Sequence, residues 1–198
     1  MPVCLPVAAI VLAAGAATRM GKLKQLLPYR GRTLVQHAID QALQAQFDPV
    51  LVVVGAESAA VRSAVATQKS VVIENTYWRT GMGSSISAGV RWLQKEGTES
   101  AAIAILLGDQ PLVTADHLKE MRDRLHRTSA DVIAAEYSGT LGVPAVFKRN
   151  LFARLSGLPP SAGARLLLRQ PGLKVEPFPL PEAASDIDTP TDYESLTA

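Results

Sequence analysis

The sequence predicts an α/β fold in which a mostly parallel sheet lies between two layers of helices. Short, β-branched apolar runs at residues 7–12, 49–55 and 101–107 are typical of buried parallel strands. Segments with helical spacing of apolar residues separate these runs, and this alternation favours a parallel sheet with right-handed crossovers. Because such sheets bind ligands at the carboxyl ends of their strands, functional residues are expected directly after each strand.

The remaining predicted elements follow the same alternation. Thr33 and Gln36 form a predicted capping box in front of a helix, and Thr114 precedes another helix. Thr189 followed by Pro190 predicts the start of a C-terminal helix. Further strands are predicted at residues 70–73 and 131–136, and further helices at residues 57–65 and after residues 81–85.

Composition limits the classes of protein that fit the chain. Its 198 residues suffice for one domain, which we expect to span residues 1–198. A net charge of +2 gives no general attraction to nucleic acid or to membranes. The first apolar run is shorter than the ~20 residues that cross a bilayer. The single cysteine, Cys4, excludes an intrachain disulfide and is compatible with a reducing compartment. We therefore expect a cytoplasmic protein that binds neither nucleic acid nor membrane.

A loop of small residues follows the first predicted strand. Residues 13–17 leave backbone N–H groups reachable, and Arg19, Lys22 and Lys24 follow closely. Such a loop, with cationic side chains beside it, is typical of a phosphate-binding site.

Two well-known glycine loops do not match this stretch. A P-loop needs four residues between its first Gly and a Gly-Lys-Ser/Thr, whereas residues 16–20 separate Gly15 from Gly21 and Leu23 follows Lys22. The dinucleotide pattern G-x-G-x-x-G fails because position 17 is Ala.

A second polar segment, Gly81 to Ser85, lies before a predicted helix. A serine-hydrolase elbow is excluded because no Gly follows either serine at the required spacing. Two interpretations stay open. Either Gly83, Ser84 and Ser85 bind a nucleobase or ribose, or the glycines and serines of residues 81–85 merely cap the helix, since Ser is a preferred N-cap residue.

Carboxylates occur at two further places where a cation is expected. Asp109 follows a predicted strand on a loop that Pro111 stiffens, which favours Mg²⁺ binding over a plain Asx-turn. Asp186 and Asp188 precede the C-terminal helix and share one face of an extended segment. Paired carboxylates repel each other unless a cation lies nearby, so these residues are predicted metal ligands.

Together, these motifs resemble those of nucleotidyltransferases that activate sugars, lipid precursors and the molybdenum cofactor. The Gly-Asp-x-Pro motif is matched at Asp109, and residues 186–190 resemble the Asp-Ile-Asp-Thr-Pro ending of molybdenum cofactor cytidylyltransferases in the MobA-like NTP transferase family. The leading motif of the family is matched at Leu12, Ala13, Ala14, Gly15, Arg19, Met20, Gly21 and Lys24.

The resemblance implies a three-layer, Rossmann-like nucleotidyltransferase fold and a role for each matched residue. Arg19, Lys24 and Asp109 would be catalytic, and Asp109 with Asp186 would hold Mg²⁺, Asp188 being the second candidate. The implied nucleotide-binding residues are Leu12, Ala13, Ala14, Gly15, Arg19, Lys24, Gly83, Ser84 and Ser85.

The match to the acceptor-binding segments of the family is incomplete. Pro144 and Arg165 are matched, and the resemblance implies that they contact the acceptor. Val143, however, replaces the family's His, and the Asp that usually precedes the Gly-Ala-Arg motif is missing.

The implied reaction is transfer of CMP from CTP to the phosphate of molybdenum cofactor, with release of pyrophosphate. Guanylyltransferases of this group tend to carry Gly where this chain has Ala14, and the extra methyl group favours a pyrimidine. A molybdenum-dependent dehydrogenase is the implied partner. The alternatives are a guanylyltransferase, another small-phosphate nucleotidyltransferase, or a non-catalytic molybdenum cofactor chaperone. A dinucleotide-binding oxidoreductase is disfavoured because its glycine pattern is absent.

Overall fold

A computed structural model describes residues 6–16, 23–187 and 189–197 of the chain. Predictions that fall on Cys4, Arg19, Lys22 and Asp188 lie outside these residues. The strands are β1 (Val7–Ala13), β2 (Pro28–Tyr29), β3 (Arg32–Thr33), β4 (Val50–Val54), β5 (Val71–Glu74), β6 (Ala102–Leu107), β7 (Val132–Tyr137), β8 (Thr140–Lys148) and β9 (Val175–Pro179).

The helices lie in the segments between these strands and after the last of them. They are α1 (Leu34–Gln44), α2 (Ser58–Val65), α3 (Met82–Lys95), α4 (Ala115–Arg127), α5 (Phe152–Ser156), α6 (Ala164–Leu168) and α7 (Pro190–Thr197). Short 3₁₀ turns occupy Lys24–Leu26, Trp78–Thr80, Arg149–Leu151 and Pro181–Ala184.

A seven-stranded sheet forms the centre of the molecule, in the order β5-β4-β1-β6-β8-β7-β9. Its neighbours pair in parallel except at β8, which is antiparallel to both β6 and β7. The predicted mostly parallel sheet is therefore confirmed. Residues 140–148 were not predicted as a strand, and the hairpin that joins β7 to β8 turns at Ser138 and Gly139, both with positive φ.

Apolar side chains cover both faces of the sheet and thereby create the three layers. Along β1, Ala9 and Val11 pack on one side with residues of α1 and α4. Ala8 and Ile10 pack on the other side with residues of α3 and α5. Successive side chains of a β-strand point to opposite faces of the sheet, which gives this alternation. Because both faces are buried, the sequences of the strands are continuous apolar runs.

Local sequence determines where the long helices begin. At α1, the Thr33 side chain accepts from the Gln36 N–H at 3.3 Å, and the Gln36 side chain accepts from the Thr33 N–H at 2.9 Å. Thr189 and Asp192 form the same reciprocal pair in front of α7. The predicted starts of both helices are therefore confirmed.

Candidate nucleotide-binding site

A cleft of about 540 Å³ opens at the carboxyl ends of β1 and β6. It is large enough for a nucleotide-sized ligand. Its lining comes from the loop after β1, the loop after β6, the start of α3 and the segment before α7: Leu12, Ala14, Gly15, Ala16, Lys24, Gln25, Trp78, Arg79, Gly81, Met82, Ser85, Leu107, Asp109 and Asp186.

The loop after β1 is held by hydrogen bonds to its carbonyl groups. The Gln25 side-chain amide donates to the Gly15 carbonyl at 2.8 Å, and the Ala56 N–H donates to the Ala14 carbonyl at 3.1 Å. Because the C=O and N–H of a trans peptide point in opposite directions, the N–H groups of Gly15 and Ala16 point away from these donors. Both residues line the cleft, so their amides suit an anionic ligand.

Lys24 and Asp109 form an ion pair inside the cleft. The Lys24 ammonium lies 2.5 Å from a carboxylate oxygen of Asp109, and their side chains are 19% and 12% exposed. Asp109 lies two residues after the end of β6, whereas Lys24 begins the 3₁₀ turn that comes after the small-residue loop. The structure thus brings together two predicted catalytic residues that are distant in sequence.

The Asp186 segment is joined to the Asp109 loop by the backbone. The Ile187 N–H donates to the Asp109 carbonyl at 3.2 Å, and both carboxylates line the cleft. Within residues 6–16, 23–187 and 189–197, no group of three or more His, Cys, Asp or Glu side chains forms a metal site. Two carboxylates nevertheless suit Mg²⁺, which takes one or two of them and completes its octahedron with phosphate oxygens and water.

The first turn of α3 contributes one of its two serines to the cleft. Ser85 lines the cleft, and its hydroxyl accepts from the Asn75 side-chain amide at 3.0 Å. Gly83 instead packs against the backbone of residues 159–162, and the Ser84 hydroxyl donates to the Gly81 carbonyl at 2.7 Å. Gly81 holds the N-cap position, so a glycine of this segment caps the helix and neither serine does. The predicted nucleotide-binding residues Gly83, Ser84 and Ala13 are not among those that line the cleft.

Trp78 and Arg79 form a wall of the cleft that sequence patterns did not identify. The Arg79 guanidinium lies 4.6 Å from the centre of the Trp78 ring, a cation–π geometry. Trp78 packs so closely on Gly55 that a Cβ at position 55 would lie 2.5 Å from the Trp78 Cβ. The same Cβ would lie 2.9 Å from the Ala14 Cβ. Gly55 therefore allows Trp78 and Ala14 to sit together beside the cleft.

The two predicted acceptor-binding residues lie in different surroundings. Pro144 lies in β8 and lines a small cavity together with Gln110. Arg165 is exposed and donates to the Leu141 carbonyl at 3.2 Å. Tyr137 senses the charges of both Arg165 and Asp186. Burial raises the pKa of the Tyr137 phenol, the Asp186 carboxylate adds to that effect, and Arg165 lowers it. Sequence analysis did not identify this tyrosine.

This combination of fold and cleft defines a class of protein. A small-residue loop, a lysine and two carboxylates at the strand ends of an α/β sheet are the features of a nucleotide-binding protein of the nucleotidyltransferase type. The chain belongs to the MobA-like NTP transferase family, because the model of the MobA-like NTP transferase domain matches residues 9–175. The family predicted from the sequence motifs is therefore confirmed.

Individual relatives cover nearly the whole chain. Purine catabolism protein PucB from Bacillus subtilis is 31% identical over 94% of both chains. Nicotine blue oxidoreductase from Paenarthrobacter nicotinovorans is 34% identical over 83% of this chain and 82% of its own.

Solved structures show the same fold. Rv0371c from Mycobacterium tuberculosis superposes with a TM-score of 0.83 at 28% identity, covering 99% of this chain and 100% of that one. A second Rv0371c structure, a complex with manganese, has a TM-score of 0.76 at 29% identity and covers 96% and 97%. In the part of this chain that the model describes, no helix is both long and apolar enough to cross a membrane.

Proposed function

We propose that this protein transfers CMP from CTP to the phosphate of molybdenum cofactor and releases pyrophosphate. The observation that supports the proposal most strongly is the meeting of Lys24, Asp109 and Asp186 with the small-residue loop in one cleft. Membership of the MobA-like family supports the reaction class. Nucleotidyl transfer depends mainly on alignment and charge neutralisation, which these groups supply without a protein nucleophile.

Each residue then has a defined task. The N–H groups of Gly15 and Ala16 bind triphosphate oxygens, and Lys24 stabilises the charge that develops on the leaving pyrophosphate. An oxygen of the acceptor phosphate attacks the α-phosphorus, and the bond from that phosphorus to the pyrophosphate oxygen breaks. Arg19, which lies outside the described residues, is proposed to assist Lys24.

Asp109 and Asp186 are the residues that would hold Mg²⁺, with Asp188, outside the described residues, as the second candidate for the latter position. The bound ion supplies charge neutralisation on the reacting phosphate oxygens. The donor set fits this cation because both side chains are oxygen ligands and line the cleft that would receive the phosphates. The manganese complex of Rv0371c supports a divalent cation for this chain as well.

The proposed choice of CTP rests on the wall beside the loop. Ala14 is 6% exposed, and its methyl group lies against Gly55 and next to Trp78, so little room remains there. A narrow site favours a pyrimidine over a purine. Leu12 and Ser85 line the same cleft and complete the proposed nucleotide site, together with Arg79.

The acceptor is proposed to bind on the Asp186 side. Arg165 offers a guanidinium that suits a phosphate, and the charges of Arg165 and Asp186 both influence the pKa of Tyr137. Pro144, in β8, is the second proposed acceptor-binding residue. We propose a cytoplasmic location and delivery of the product to a molybdenum-dependent dehydrogenase.

Pyrophosphate release tests the proposal. Each of the four nucleoside triphosphates is supplied with Mg²⁺ and molybdopterin to the wild type, to Asp109→Ala and to the control Asp116→Ala, which removes an exposed carboxylate at the start of α4. We expect release from CTP alone, lost in Asp109→Ala and retained in the control. Release from GTP would instead identify a guanylyltransferase.

Two other outcomes would overturn the proposal. Tight pterin binding without release from any triphosphate would identify a cofactor chaperone. Oxidation of a nicotinamide cofactor without pyrophosphate release would place the chain beside its oxidoreductase relative, nicotine blue oxidoreductase.

A further inference from the structure

We infer that Gln110 is a positioning residue that fixes the two carboxylate segments and the acceptor strand relative to one another. The inference rests on the proposed function and adds a residue to its site. Gln110 follows Asp109 directly and is only 4% exposed, an unusual place for a polar side chain. Gln110 can be buried because its side-chain amide donates hydrogen bonds to two backbone carbonyl groups.

The side-chain amide of Gln110 joins three separate segments. It donates to the Ala183 carbonyl at 2.7 Å and to the Val143 carbonyl at 3.3 Å. Ala183 lies in the turn before Asp186, and Val143 precedes Pro144 in β8. The side chain next to one candidate metal ligand therefore holds the segment of the other ligand and the predicted acceptor strand.

The Asp186 segment is tied to the Asp109 loop at two points. Gln110 holds it at Ala183, and the Ile187 N–H donates to the Asp109 carbonyl at 3.2 Å. Asp186 lies between these two ties. With both ends of this short stretch fixed, the Asp186 carboxylate keeps a defined position relative to Asp109.

The chemistry of the two contacts favours glutamine at this position. Its neutral NH₂ group carries two donors, which match the two carbonyl acceptors. A glutamate would add a third negative charge beside Asp109 and Asp186 and would lose both donors when ionised. An asparagine is one methylene shorter and would not span both carbonyls.

Gln110→Met tests the inference because it keeps the length of the side chain and removes both donors. The control is Gln68→Met, which removes an amide that joins segments far from the cleft by donating to the Gln36 carbonyl at 2.9 Å. Both changes remove a hydrogen bond that stabilises the fold, so both are expected to lower Tm. A purely structural role for Gln110 would produce that effect alone.

The decisive measurement is Mn²⁺ affinity by electron paramagnetic resonance in the presence of CTP. Loss of a residue that orients metal ligands typically weakens metal binding by 10–100-fold. We expect the Mn²⁺ Kd of Gln110→Met to rise at least about tenfold, while that of Gln68→Met stays at the wild-type value. The kcat of Gln110→Met should fall by a similar factor, with the KM for CTP nearly unchanged.

Gln110→Asn provides a second variant if Gln110→Met does not fold, and we expect the same direction of change in Mn²⁺ affinity. Wild-type Mn²⁺ affinity in a folded Gln110 variant would overturn the inference and leave the proposed function standing. A wild-type protein that binds no Mn²⁺ with CTP would contradict the proposed metal site itself, so the two failures are distinguishable.

Discussion

The Lys24 ammonium and the Asp109 carboxylate contact each other at 2.5 Å in the cleft, although Lys24 is proposed to bind the leaving pyrophosphate and Asp109 to hold a cation. In the structure described here, each charge neutralises the other at a largely buried position, where an unpaired charge would be costly. Under the proposed function, triphosphate binding would draw Lys24 from the carboxylate to phosphate oxygens, and Asp109 would then be available to hold a cation. The proposal therefore links ligand binding to reorganisation of this pair.

Replacing Lys24 removes the cation that is proposed to stabilise the leaving pyrophosphate. We expect Lys24→Met to lower kcat by at least about 100-fold, the usual effect of losing one charge-stabilising group in an active site. Steady-state pyrophosphate release measures the change. Lys69→Met is the control, because the Lys69 side chain is 82% exposed. Its ammonium lies 3.9 Å from a carboxylate oxygen of Asp48, which is a long distance for an ion pair. A kcat within twofold of wild type would exclude Lys24 from the chemistry.

Enlarging the space beside the loop should relax the choice of base. In Ala14→Gly, the methyl group that packs toward Gly55 is absent, and more room is left next to Trp78. One methylene-sized change in a pocket typically alters discrimination by 10–200-fold. We expect the preference for CTP over GTP, measured as a ratio of kcat/KM values, to fall about tenfold. An unchanged ratio would show that Ala14 does not set base selectivity.

Adding a side chain at Gly55 should destabilise the fold at the same wall. A Cβ there would meet the Trp78 Cβ at 2.5 Å and the Ala14 Cβ at 2.9 Å, both closer than real contacts allow. Overpacking of this kind costs about 1–3 kcal/mol. We therefore expect Gly55→Ala to lower the free energy of unfolding, measured in urea, by that amount. A wild-type value would mean that Trp78 moves freely, and its fluorescence would then shift.

Helices and strands whose positions depend on residues close in sequence were predictable from the sequence. Strands whose positions depend on pairing with distant parts of the chain were not. The cap of α1 needs only Thr33 and Gln36, which lie three residues apart, so its position was predicted correctly. β8 runs antiparallel in a largely parallel sheet, and β9 contains Pro177 and Pro179, which are uncommon in strands but tolerated at a sheet edge. Neither strand was predicted.

The residues of the candidate site also fall into those that a local sequence pattern predicts and those that it does not. Lys24 and Asp109 follow the small-residue loop and a buried strand, so a local pattern predicted them, and the structure places both in the cleft. Gln110 and Tyr137 are tied to the site through residues far along the chain, and Gln25 holds the Gly15 carbonyl ten residues earlier. No spacing rule identifies such partners, although the Ser138-Gly139 turn after Tyr137 is a recognisable hairpin pattern.

A half-buried histidine, His37, should make stability depend on pH. Burial lowers the pKa of His37 below its ordinary value of 6.5, an effect that Arg30 increases and that the Pro111 carbonyl and Asp40 oppose. Between the lowered folded-state pKa and the unfolded value, the unfolded chain binds more protons than the folded one. The free energy of unfolding therefore falls as the pH falls through that window, and the full contribution is present above it.

Urea unfolding at pH 7.5 and 5.5 checks this prediction. We expect the loss of stability on acidification to be smaller in His37→Gln than in the wild type, because glutamine does not titrate. His126→Gln is the matched comparison, since burial also lowers the pKa of His126 and Arg122 adds to the effect. The groups that shift the pKa of His37 differ from those that shift the pKa of His126, so the two effects should add in the double variant. An equal loss of stability in wild type and His37→Gln would show that His37 takes up its proton equally in the folded and unfolded chain.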